Sequence, residues 1–207
     1  MTSVVHALQR KFGSAVRGRR SFYEVRDGLS FFGRLCLMFA AAAGIGLCSR
    51  IIIPLPFTPV PLSLQTFGVA VAAVSMGRGW GAASVAVYVA CVALGVPWTV
   101  SGAAGPAVFA GPTAGYLLGF VLAGAALNFF IADPARRGLF SLWSAVLVCD
   151  AVFVLTPGTL LMWSLFEAAS RPLTLMEAAS KGFFPFIVAD IVKSGLAAGF
   201  IGLLGKR

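Results

Sequence analysis

Apolar residues fill six long runs along the chain, and polar residues gather in the short stretches between them. The first run, about 31–53, stops in the string IPLPFTPVP, where Pro54, Pro56, Pro59 and Pro61 crowd together. Each proline biases its predecessor away from helix, so the string predicts an extended connection. A short second run, 62–76, carries Ser63, Gln65 and Thr66 near its start. GRGWG, from Gly77 to Gly81, predicts a tight turn before a third run at 80–96, which ends at Pro97. The next stretch, TVSGAAGPAVFAG at 99–111, is small and uncharged and predicts a loop able to fold back as a lid. A fourth run, 112–132, has glycine at every fourth position from Gly111 through Gly115 to Gly119, a face that permits close helix contact. The fifth covers 139–163, with Pro157–Gly158 as a candidate break, and the sixth covers 182–204. Two half-amphipathic pieces between them, at 164–181, suit a membrane surface.

Each run is roughly the length that crosses a bilayer. Backbone groups in lipid need partners within their own segment, so these runs should be helices. The expected fold is an all-α integral membrane protein, a compact bundle of six transmembrane helices over 31–204. A basic segment, 1–30, precedes it. Within that segment Val4, Val5, Leu8, Phe12, Ala15 and Val16 recur at helical spacing among Arg10, Lys11 and Arg17. An interfacial helix and a basic tail both fit. Its basic part, running to Arg34, is long for a cleaved secretory signal.

Composition sharpens this reading. Of 207 residues, 59% are hydrophobic and 11% charged. A soluble domain is about 25% charged, so this chain lacks the residues for a wet surface. The same arithmetic disfavours a disordered chain. The net charge of +9 would suit nucleic acid, but its placement does not. Six passes put both termini on one side with twelve basic residues, including Arg78, Arg136, Arg137, Lys206 and Arg207. That asymmetry assigns both ends to the cytoplasm and the chain to the cytoplasmic membrane, with lipid rather than nucleic acid around it. Cys36, Cys48, Cys91 and Cys149 lie far apart in apolar runs, and His6 is the lone histidine. No metal or cofactor is expected. Neither GxxxxGK[ST] nor a GxGxxG after a strand occurs, so a solute moved uphill would take its energy from a partner or an ion gradient.

Charges inside the runs carry the candidate chemistry. Asp190 and Lys193, in PFIVADIVKSG, stand three apart on one helix face near the middle of the last run. Charge at that depth marks a functional site by default, although an interhelical lock is the plain alternative. Asp150, in the fifth run, is a second candidate, either for pairing or for a ligand. Arg50 can snorkel to the interface. Gln65, Thr66, Tyr88, Tyr116 and Asn128 suit either a site or helix-to-helix hydrogen bonds. Trp98 and Phe109, flanking the lid, could cover an apolar ring or anchor at the interface.

Four strings carry a resemblance: IPLPFTPVPLSLQTF at 53–67, YVACVALGVPWTVSG at 88–102, GPTAGYLLGF at 111–120 and PFIVADIVKSGLAA at 185–198. With them the chain resembles the BioY family, the biotin-binding substrate-capture (S) components of energy-coupling-factor (ECF) vitamin transporters. The resemblance implies a biotin site opening outward under capping loops. It implies that Asp190 and Lys193 are the polar pair contacting biotin, and that Thr113 and Tyr116 belong to the GPTxGY signature. Gln65 and Tyr88 match less specific positions near the pocket. Lys193 is then expected at the carboxylate and Asp190 at the ureido ring, or the reverse. Ala40, Ala42, Gly44 and Gly46 match the face that meets a membrane coupling (T) subunit, and two ATPase subunits would hydrolyse ATP. No covalent chemistry is expected on this chain. The sequence PWTVSGAAGPAVFAG departs from the family's usual third loop and offers no asparagine ligand. The basic N-terminal segment lies outside the family core. Solitary action, a homo-oligomer and a four-protein complex are the three assemblies compatible with the sequence. The rival readings are a membrane assembly subunit without a ligand and a transporter of another small carboxylate.

Overall fold

The computed structural model describes residues 21–205. The expectations for 1–20 lie outside the described residues. Helix dominates. The elements are α1 (Phe22–Asp27), α2 (Phe31–Cys48), β1 (Ile52–Ile53), β2 (Leu62–Ser63), α3 (Gln65–Ser75), α4 (Trp80–Ala93), α5 (Ala114–Phe130), α6 (Leu139–Cys149), α7 (Thr156–Ala168), α8 (Leu175–Gly182) and α9 (Phe184–Leu204). Phe31–Cys48, Leu139–Ala168 and Leu175–Leu204 are long and apolar enough to cross a bilayer; α3, α4 and α5 are apolar but shorter.

The bundle is polar-inside where it matters and apolar-outside. On α9, Val188, Val192, Leu196 and Leu203 are exposed, while Asp190, Lys193, Ser194, Ala197 and Ile201 are buried. Spacings of three and four put these sets on opposite faces. An exposed apolar stripe on a charged helix makes sense only against lipid.

The proline string forms an extended excursion. Its two ends pair antiparallel, Ile52 with Ser63 and Ile53 with Leu62, which closes the excursion at its base. The lid contains a short 3₁₀ turn, Pro106–Ala110. Pro157 does not break the fifth run, contrary to expectation. α6 and α7 are joined by a π-helical segment, Asp150–Leu155, into one 30-residue rod. The proline follows that segment directly, and the Thr156 hydroxyl beside it donates to Ala151 O at 2.8 Å.

The glycine face of α5 lies directly on this segment. A Cβ on Gly115 would come 2.6 Å from Pro157 O, and one on Gly119 would come 2.4 Å from Phe153 O. Only bare backbone admits that approach.

At the opposite end the turn Gly77–Gly79 closes α3 onto α4, with φ of +81° and +77° at its two glycines. Asn128 saturates it: the side-chain amide donates to Ala73 O (2.9 Å) and Gly77 O (2.7 Å) and accepts from Gly79 N (2.6 Å). Residues 21–30 dock on this end instead of belonging wholly to a separate tail. Ser21 and Glu24 form a capping box for α1. The Tyr23 hydroxyl donates to Ile201 O at 2.9 Å, and Arg26 donates to Ser75 O at 2.9 Å. Burial raises the Tyr23 phenol above its ordinary pKa, which keeps the donor proton in place.

Candidate functional site: a roofed chamber

A cavity of about 410 Å³ opens at the end where α3, α5 and α9 begin. That volume suits a small organic ligand. Its roof comes from the proline excursion (Pro59, Val60, Pro61) and the lid (Thr99 to Val108), and its apolar walls include Phe120, Leu155 and Phe186.

Both charges of the last helix line it. Asp190 is 0% exposed and Lys193 8%. They form an ion pair through Asp190 Oδ1, which also accepts from the Thr66 hydroxyl at 3.1 Å. Lys193 donates further to Ser63 O at 3.2 Å. The pair is thus held by the end of β2 and the start of α3, and capacity remains. An ammonium has three N–H donors, and two are engaged. Asp190 Oδ2 is buried with no hydrogen-bond partner among the described residues.

Gln65, Thr113 and Tyr116 also line the chamber, as expected. Tyr116 contributes its ring, since its hydroxyl is spent on Gly182 O at 2.8 Å. Thr113 stands at the N-terminus of α5 without capping it.

Three expected ligand contacts do not reach the wall. Tyr88 is fully buried behind Gln65, and its hydroxyl donates to Trp98 O at 2.9 Å. Trp98 turns away to stack on Tyr88 (6.4 Å between centroids) and fill the notch over Gly46. Asp150 begins the π-helical segment, is buried and lacks hydrogen-bond partners among the described residues. Spacing along each run could not reveal these rotations. Conversely, Ser63 and Thr66 hold the charged pair, and Thr66 was visible in the sequence only as one polar residue among several.

The four small residues of α2 do not share one outward face. Ala40 is exposed and Gly44 has open space beside it, whereas Ala42 and Gly46 are buried, Gly46 beneath the Trp98 indole. Positions two and six apart from Ala40 fall on the inner side of a 3.6-residue helix.

Two cations pin the roof from outside. Lys181 donates to Phe57 O at 3.2 Å, and Arg50 donates to Pro97 O.

A multi-pass helical membrane protein with a solute-sized, roofed chamber defines a class: a transporter's substrate-binding subunit rather than an enzyme. The sequence model of the BioY family matches residues 21–206, and the chain belongs to that family. The Biotin transporter BioY of Thermotoga maritima is 33% identical over 146 residues, 70% of this chain and 81% of that protein. The Biotin transporter BioY of Rhizobium etli is 31% identical over 173 residues, 83% of this chain and 89% of that protein. The fold is similar to the crystal structure of the S-component for biotin from an ECF-type ABC transporter. The TM-score is 0.74 at 25% identity, over 84% of this chain and 91% of that one.

Proposed function

We propose that this protein captures biotin at the outer face of the cytoplasmic membrane and delivers it inward within an ECF assembly. The observation that carries the reading is the Asp190–Lys193 pair, buried yet unsaturated, on the wall of a roofed chamber. Because the two side chains touch, they meet one end of the ligand, not both ends as the sequence had suggested. Biotin's ureido head and its carboxylate are separated by the bicyclic ring and the valeryl chain. The ureido head fits the pair: Asp190 Oδ2 accepts one N–H, and the remaining Lys193 proton goes to the ureido carbonyl. The thioether ring packs on Tyr116 and Phe186, and the acid reaches towards the roof. In this proposal six passes place both termini in the cytoplasm. A T subunit meets the exposed side of α2 at Ala40 and Gly44, and two ATPases supply the energy. The outward stripe on α9 and the basic residues at the opposite end from the chamber support that orientation.

Labelled-biotin binding by the purified protein tests the reading, with Lys193→Ala alongside. The expected result is tight binding that K193A weakens while the variant stays folded, with biotin amide penalised no more than biotin is. A folded wild-type protein that ignores biotin refutes capture. A K193A defect confined to ligands with a free carboxylate reverses the ligand's orientation. Co-purification with ATPase subunits tests the assembly. The rival assembly subunit without ligand is not favoured, because it gives no use to the chamber.

A further inference from the structure

Behind the chamber wall lies a buried relay: Trp98 C=O, Tyr88 OH, Gln65 amide. Tyr88 is 0% exposed, and Gln65 is buried except where it faces the chamber. Each member's chemistry limits the next. A peptide carbonyl only accepts, so the single Tyr88 proton goes to Trp98 O, at 2.9 Å. The phenolic oxygen can then only accept from the neighbouring amide. Gln65 must therefore turn its NH₂ group inward, and the amide oxygen is left for the chamber side. The two orientations of a glutamine side chain are nearly isosteric, and hydrogen bonding alone decides between them. Here the decision is made 23 residues away in sequence, by a tyrosine that does not touch the cavity. Among the described residues the one hydrogen bond to Gln65 Oε1 comes from the Ser63 hydroxyl, at 3.5 Å, the outer limit for such a bond.

We infer that Tyr88 is a positioning residue that fixes Gln65 as an acceptor, so that the site reads a second ligand N–H. This inference rests on the biotin reading: a cyclic urea offers two N–H donors, and Asp190 Oδ2 and Gln65 Oε1 provide two acceptors. The same relay ties the wall to the start of the lid through Trp98, so the acceptor is set only when the lid is in place.

The test uses the full-length protein and two biotin analogues, each methylated on one ureido nitrogen. In the wild type both analogues bind more weakly than biotin. In Tyr88→Phe the Gln65 amide is free to turn, and one of the two methylation penalties shrinks by about tenfold, the scale of one net hydrogen bond, while the other is unchanged. Gln65→Leu gives the same selective loss, and the double variant adds nothing to it. Gln65→Leu also serves if Tyr88→Phe unfolds. If both penalties change alike, or neither changes, Tyr88 is merely structural and the inference is overturned. If the wild type does not bind biotin at all, the functional reading fails first, before any variant is compared.

Discussion

The two ends of the bundle handle buried polarity in opposite ways. At the docking end of α1, Asn128 makes three hydrogen bonds to backbone groups of one turn, Tyr23 reaches Ile201 O, and Arg26 reaches Ser75 O. Each of these three side chains is spent on the main chain. At the chamber end Asp190 keeps one oxygen free, Lys193 keeps one N–H, and Gln65 keeps its carbonyl oxygen nearly unbonded. A saturated polar cluster shapes the fold, and an unsaturated one beside a cavity waits for a ligand. Both clusters are buried, so burial alone does not tell them apart; what sets the chamber end apart is that unused donors and acceptors sit on residues lining a cavity.

The sharpest way to break the comparison is at the charged pair. Lys193→Met should abolish measurable biotin binding and cost about 3–5 kcal/mol of stability, because Asp190 is left as an unpaired buried charge. Adding Asp190→Asn should restore much of the melting temperature without restoring binding. Recovery of both would place the site elsewhere.

Next in size, Asn128→Ala should cost roughly 2–3 kcal/mol by orphaning backbone groups at the turn. The folded fraction should still bind biotin within about twofold of wild type, less than the worth of one net hydrogen bond, because the turn lies at the far end from the chamber. Thermal melts with and without biotin separate the two effects. Gly119→Ala stands between the ends. Its new methyl meets Phe153 O, and overpacking of about 1–3 kcal/mol should appear as a lower melting temperature with weaker binding, since the π-helical segment carries part of the wall.

The smallest effect belongs to Lys181→Ala. Losing one exposed bond to Phe57 O should leave the melting temperature nearly unchanged, because such contacts are worth about 1 kcal/mol or less. Biotin release, followed by chase with unlabelled ligand, should speed up about two- to fivefold, the equivalent of part of one hydrogen bond.

Much of this was legible in the residues. Six apolar runs, the proline excursion, the glycine face of α5 and the three-residue spacing of Asp190 and Lys193 all lie along single segments, where spacing is information. Rotation about each helix axis was less accessible. Gly46 faces inward with the Trp98 indole filling the space beside it, a demand made from about fifty residues away, and Ala42 is buried on the same side of the helix. Tyr88 and Trp98 look like ligand contacts in the sequence, but they pair with each other and hold the wall from behind. Pro157 reads as a break, yet the π-helical segment ahead of it carries the rod through. The segment 21–30 reads as part of a basic tail; only the tertiary contacts of Tyr23 and Arg26 show that it docks.

The notch at Gly46 has a mechanical corollary. The Trp98 indole occupies the space a methyl group would need there, with a Cβ position only 2.6 Å from the ring. α2 and the root of the lid are therefore interlocked like a key in its slot. Tilting or sliding that helix must either carry the indole along or pull it out, so a push delivered to the outer side of α2 would be felt above the ligand.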